Sequence, residues 1–170
     1  MTAAGISAAA AVVAAIISVI AVFIASRSAA AAKKSSEIAA AAFQRTAIRE
    51  LLVTCREVVA ENQRIESLCI DLRTEYTGMF NFAGVGGGGA EKQARAVLDR
   101  DIENAKALAA EGAALSKDTS SLLASSGPDI DARSTKIGLD LVELRTIRES
   151  IERRLNDARS ERKNLAEEKR

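Results

Sequence analysis

Histidine is missing from this chain altogether, and so is tryptophan. Without His, the usual general base at neutral pH and the commonest transition-metal ligand are gone. A Ser–His or Cys–His nucleophile therefore cannot be assembled within the chain. Proline occurs once, and aromatic residues make up only 3% of the sequence. Sheet proteins draw on β-branched and aromatic side chains, so this poverty, set against abundant Ala, favours thinly packed helices. Two cysteines are too few for the disulfide framework of a small secreted domain. Nor does either charge sign dominate. Charged residues are 28% of the chain and the formal net charge is +1, so nothing marks the whole as a nucleic-acid binder. The sequence supplies no catalytic, cofactor-binding or metal-ligating set. The expectation is a non-enzymatic protein with no small-molecule substrate.

What is present begins with an apolar run. Residues 1–26 carry no charged side chain, and "ISAAAAVVAAIISVIAVFIA" occupies residues 6–25. About 20 helical residues cross a hydrocarbon core of about 30 Å. A cleavable signal peptide would want basic residues ahead of a shorter run, and none precede this one. The reading is a retained transmembrane anchor over 1–26, with the lipid bilayer as a partner. Arg27, Lys33, Lys34, Arg45 and Arg49 follow, against Glu37 and Glu50. The positive-inside rule then puts the C-terminal region in the cytoplasm of a single-pass protein, with a bacterial inner membrane as the expected location. Small residues recur at Ser7, Ala11 and Ala15, but in an Ala-rich run that stripe arises by chance.

Past a basic helical stalk over 27–47, a heptad pattern appears. Ile48, Leu51, Cys55, Val58, Asn62, Ile65, Cys69, Leu72 and Tyr76 alternate in steps of three and four, the signature of a coiled-coil seam. Residues 29–77 hold neither Gly nor Pro, so this helix can continue from the anchor without a break. Asn62 sits mid-seam, where a buried Asn fixes register and oligomer state; the alternative is a partly solvated Asn on a bundle edge. Cys55 and Cys69 are roughly 21 Å apart along one helix face and cannot bridge each other. They read as small apolar fillers, or as thiols that meet their own copies in a parallel homodimer.

A second helix is expected over 90–121, with a looser stripe through Val97, Leu98, Ile102, Ala105, Leu108 and Leu115. "SSGPDIDARS" then breaks the chain, and Pro128 and Asp129 suit a new helix start. The third helix carries Ile137, Leu141, Leu144, Arg148, Ile151, Leu155, Ala158, Arg162 and Leu165. Arg148 and Arg162 interrupt the apolar seam, either snorkelling outward or meeting acidic partners. The charged tail over 160–170 is expected to fray or to stay exposed. The fold class is thus all-α: a transmembrane helix followed by a long-helix coiled coil or an up-down-up three-helix bundle. Its parts are a helical hairpin over 48–126, tipped at 77–90, and a C-terminal helix over 127–170.

The tip holds "NFAGVGGGGAEKQ", where Gly84 to Gly89 spell G-x-G-x-x-G. A dinucleotide fingerprint needs a βαβ unit and an acidic residue about 20 positions on; a Walker loop needs Lys after the last Gly. Here Ala90 and Glu91 follow instead, and a loose turn between helices is expected. Beside it cluster Tyr76, Met79, Phe80 and Phe82, either a partner-binding group or a cap over the bundle's open end. The function read from this pattern is a membrane-anchored scaffold or assembly subunit that self-associates or docks another helical protein. A membrane-linked signalling helper is a further possibility. In layout alone the chain resembles phage-type inner-membrane spanins, which implies a periplasmic body, opposite to the charge asymmetry at Arg27, Lys33 and Lys34.

Overall fold

The computed structural model describes the backbone of residues 3–168, and the side chains of residue 18 and residues 20–168. Among these the chain is all-α: α1 (Ala3–Phe82), α2 (Gly89–Lys117), the short α3 (Thr119–Leu123) and α4 (Gly127–Glu168), with no strand. It divides into two compact units, Met1–Thr46 and Ala47–Arg170.

The first unit is helix throughout its described length. Ser26 and Ser28 donate their hydroxyls to the carbonyls of Phe23 and Ala25 at 2.8 and 2.9 Å, so these polar groups are satisfied within the helix. The Arg27 guanidinium lies 4.8 Å above the Phe23 ring centroid. Most side chains of the expected anchor (residues 1–17 and 19) lie outside the described residues. Among the described residues no helix is long and apolar enough to cross a membrane.

The second unit is a three-helix bundle made by residues 47–82 of α1 with α2 and α4. Its directions follow from the side chains that meet. Arg73 of α1 pairs with Asp99 of α2, and Glu66 with Lys106, so α2 runs antiparallel to α1. Arg145 reaches Glu57 and Arg148 reaches Glu61, at sequence separations of 88 and 87, so α4 runs parallel to α1. The path is up, down and up. Both long seams turn inward. Ile48, Leu51, Cys55, Val58, Ile65, Cys69 and Leu72 pack with Ile137, Leu141, Leu144, Ile151, Leu155 and Ala158. Each fully buried Leu or Ile contributes about 1.5–3 kcal/mol by leaving water.

The middle helix differs from its expected stripe. Leu98, Ala105 and Leu115 of that stripe are buried and Ile102 and Leu108 pack against the core, but Val97 is exposed, and Ala109 and Gly112 complete the inner face. Gly112 marks a close approach to α1. A Cβ on Gly112 would lie 3.1 Å from Val58 Cγ1 and 3.6 Å from the Cys55 carbonyl oxygen. The absent side chain at Gly112 lets α2 press against α1 there. The helix also ends early, at Lys117. Asp118 then caps α3, its side chain accepting the Ser121 N–H. Ser126 and Asp129 start α4 with a reciprocal cap: the Ser126 hydroxyl donates to Asp129 at 2.6 Å, and the Asp129 N–H donates back at 3.4 Å. The described part of the tail is helical and mostly exposed, the second of the two expected outcomes. Arg162 pairs with Glu75 at 3.1 Å and Leu165 packs on the core, which keeps α4 helical to Glu168.

Candidate functional site

The tip between α1 and α2 is a hydrogen-bonded turn. At the end of α1 the Val85 N–H donates to the Phe80 carbonyl at 3.0 Å, and the Gly84 N–H to the Asn81 carbonyl at 3.1 Å. That pair of bonds is a Schellman ending, which needs a left-handed residue at its turn, and Gly84 supplies φ +78°. A tight turn follows, closed by the Gly88 N–H on the Val85 carbonyl at 3.1 Å, with Gly87 at φ +75°. Glu91, in the first turn of α2, reaches back and accepts the Gly87 N–H at 2.6 Å. This hydrogen bond, with the Arg95 guanidinium beside it, holds the Glu91 carboxyl below its usual range. Arg95 also donates to the Thr77 hydroxyl at 2.9 Å, tying the start of α2 to the end of α1. The carboxylate thus occupies the direction in which a glycine loop of this spelling would present an N–H to an anion.

The aromatic group divides in two. Met79 is buried, and Tyr76 and Phe80 are half-buried against the core with ring centroids 6.1 Å apart. These three close the open end of the bundle. Phe82 and Val85 point outward, 44% and 53% exposed, and form the apolar part of the tip that solvent reaches. A cleft of about 310 Å³ lies alongside, lined by Asn81, Gly87, Glu91, Lys92 and Arg95.

The seam residues face inward, toward α2 and α4 of the same chain. Cys55 and Cys69 are fully buried free thiols. Burial pushes both thiol pKa values up, Cys69 to about 11. Asn62 is half-buried; its amide donates to Glu66 at 3.5 Å and its carbonyl oxygen has no partner among the described residues. Next to it lies the carboxylate that the sequence reading overlooked, Glu61, only 4% exposed. Glu61 accepts from Arg148 of α4 and from Arg64 at 3.2 Å. Arg148 turns a second nitrogen to Glu152 at 2.7 Å. The hydrogen bonds to Glu152 and then Glu61 raise the Arg148 pKa above its ordinary value. Arg148 and Arg162 therefore meet acidic partners across the bundle. The signal for Glu61 was available: it flanks the seam one residue before Asn62, as Arg148 interrupts the facing one.

Among the described residues no group of three or more His, Cys, Asp or Glu side chains is placed to hold a metal ion. No protein-family model, no curated protein and no solved structure matches the chain.

Proposed function

We propose that this chain is a non-enzymatic, single-pass membrane scaffold whose helical bundle docks a partner protein at the Gly-rich tip. One observation carries the docking part. The heptad seams are filled within the chain, while Phe82 and Val85 stand exposed on a turn fixed by Gly84, Gly87 and Glu91. A rigidly held aromatic anchor loses little conformational freedom on binding, which is what interface hot spots exploit. The anchoring part rests on the sequence: the charge-free residues 1–26, followed by Arg27, Lys33 and Lys34, which favour a cytoplasmic body.

Two measurements test the halves separately. Alkaline carbonate extraction should leave the full chain in the membrane pellet, and a compartment-specific reporter fused after Arg170 should be active on the cytoplasmic side. A photoreactive residue in place of Phe82 should give one discrete adduct in intact cells. The adduct should be lost when Val85 is changed to Ser, whereas a probe at exposed Leu139 of α4 should not give it. Carbonate-soluble chain would overturn the anchor. Equal labelling from both sites, or from neither, would overturn the docking tip.

A further inference from the structure

The helix α4 carries a second heptad stripe, on the side turned away from the core. Ala132, Thr135, Leu139, Val142 and Thr146 follow one another in steps of three and four, with no charge among them, and all five are exposed. Leu139 is 66% and Val142 60% exposed. Both threonines donate their hydroxyls to the helix's own carbonyls, Thr135 to Asp131 at 2.9 Å and Thr146 to Val142 at 3.1 Å. Their polar atoms are thereby satisfied, and the stripe asks for no polar partner. Within the chain it covers nothing. Nor does the chain explain Gly138, which sits inside a 42-residue helix where Ala would favour the helix more. No atom lies within 4 Å of a Cβ placed there, so no neighbour in the bundle requires the side chain to be absent. A mid-helix glycine with open space, beside an exposed apolar stripe, suits the close approach of another helix.

The charges that flank the stripe say which helix. Along one edge lie Asp131 and Arg145, with Gly138 midway; along the other lie Lys136 and Glu143. Asp131 and Glu143 form no ion pair among the described residues, while Lys136 and Arg145 pair with Glu111 and Glu57 yet stay 64% and 52% exposed. Each edge therefore carries one anion and one cation. Antiparallel helices bring like edges together. With Leu139 of one copy set against Val142 of another, Thr135 falls opposite Thr146, Lys136 opposite Glu143, Asp131 opposite Arg145, and Gly138 opposite itself. Every flanking charge then meets its opposite. A parallel pair in register would set Glu143 against Gly138 and Arg145 against Ser150, leaving two of the four charges unmatched. A patch complementary to itself is what a two-fold pair of identical chains requires. From the uncovered stripe, the open glycine and the self-complementary edges, we infer that two copies pair through the outer faces of α4, antiparallel about a two-fold axis between Leu139 and Val142. Both bundles stay closed. Only residues of the Ala47–Arg170 unit take part, so the pairing goes beyond the proposed function and uses neither its tip nor its anchor.

Disulfide trapping tests it. An antiparallel pair has no common side, so the full chain is studied in detergent micelles, which impose none. Thr135→Cys and Thr146→Cys are made in separate chains, mixed and mildly oxidised. The mixed 135–146 disulfide should exceed either like-with-like disulfide at least tenfold, against the twofold excess of random collision. In this register the two copies of position 135 lie about 16 Å apart along the axis, beyond disulfide reach. Like-with-like bridges at or above the random share, as from parallel pairing or association through the anchor, would overturn the inference. So would the absence of any bridge. The edges are tested by adding Glu143→Lys to both chains, which should cut the mixed disulfide at least fivefold. Adding Lys136→Glu as well should restore it to within twofold. Inside one chain that second change removes the Glu111 pair, and positions 136 and 143 lie about 10 Å apart on one helix, so recovery reports contact between copies. Loss without recovery would overturn the register. The parent chain is read without any substitution: sedimentation equilibrium in density-matched micelles should show a dimer, which Leu139→Lys removes at unchanged helicity. A parent that stays monomeric, or a dimer that Leu139→Lys spares, would overturn the pairing. An adduct formed from Leu139 would have the mass of two chains, so failure of this pairing and failure of the docking tip are told apart.

Discussion

Removing the Glu61 carboxylate should destabilise the bundle out of proportion to its size. Glu61 is buried, and its partner Arg148 has a side chain only 27% exposed. Breaking a fully buried ion pair by deleting one member costs about 3–5 kcal/mol, because the survivor is left charged and unpaired. Arg148 keeps Glu152 at 2.7 Å and some contact with water, so the cost here is set at roughly half, about 1.5–2.5 kcal/mol for Glu61→Ala. For a bundle of this size that corresponds to a fall in melting temperature of about 5–10 °C. Replacing both Glu61 and Arg148 with Leu should return stability to within about 1 kcal/mol of the parent, since well-packed apolar substitutes often match or exceed a buried pair. In the cycle closed by the single variants Glu61→Leu and Arg148→Leu, the coupling energy is about 1–2 kcal/mol. Urea unfolding of the full chain in micelles, followed by far-ultraviolet circular dichroism, measures all four corners. The midpoint should move while the slope stays constant. Salt at 1 M should leave most of the effect, because partly buried pairs are weakly screened. A Glu61→Ala midpoint within about 0.5 kcal/mol of the parent, or strict additivity, would refute the reasoning.

Glycine substitutions should split by position. Gly84→Ala forces a side chain into the left-handed region and should lower stability by about 1 kcal/mol. Gly138→Ala, in mid-helix with open space around its Cβ, should raise it by about 0.5–1 kcal/mol, as urea midpoints would show. Leu144→Ala removes a fully buried side chain from the α4 seam and should cost about 2–5 kcal/mol in the same assay; a loss under about 1 kcal/mol would mean that α4 does not dock as described. The thiols should be silent: with Cys69 held to about 11, alkylation at pH 8 should run about 100-fold slower than in the unfolded chain. The sign for stability follows from the same shift. The folded-state thiol pKa is raised from 9.0, so stability is intact below pH 9 and declines as pH rises from there toward 11. A urea midpoint that is flat or rising across that window would contradict the burial of Cys69.

The helices and both seams were legible because heptad spacing is periodic and apolar. Ile48 to Leu72 and Ile137 to Ala158 point inward as their spacing requires. The middle helix was harder to read for a physical reason. Two residues of its inner face, Ala109 and Gly112, carry almost no hydrophobic signal. Their role is shape, and shape depends on Val58 across the interface. The hydrogen bonds of the tip were hidden by the same blindness to partners. Four glycines in a row look like freedom, but Gly84 and Gly87 are spent on left-handed turns, and Glu91 locks the loop from three residues beyond the α2 cap. Composition reports what a residue permits, whereas the hydrogen bonds show what is imposed on it.

The charged residues invert the usual relation between pattern and packing. On α4, Arg148 and Arg162 fall at seam positions and look like flaws in a coiled coil. With Glu61 and Glu75 facing them at the offset of α1 and α4, they specify alignment instead. Sliding α4 by one heptad would leave Leu and Ile as well buried as before, because apolar layers repeat, but it would place Arg148 away from Glu61. Separating the buried Glu61 from Arg148 would cost about 1.5–2.5 kcal/mol, as for removal of the carboxylate. Apolar residues thus supply the adhesion and the ions supply the register. This division explains how a core with Cys55, Asn62 and Cys69 where Leu would pack better still reaches one arrangement. The same logic accounts for the common polarity on α4: each cation it turns to the hairpin meets a carboxylate of α1 or α2.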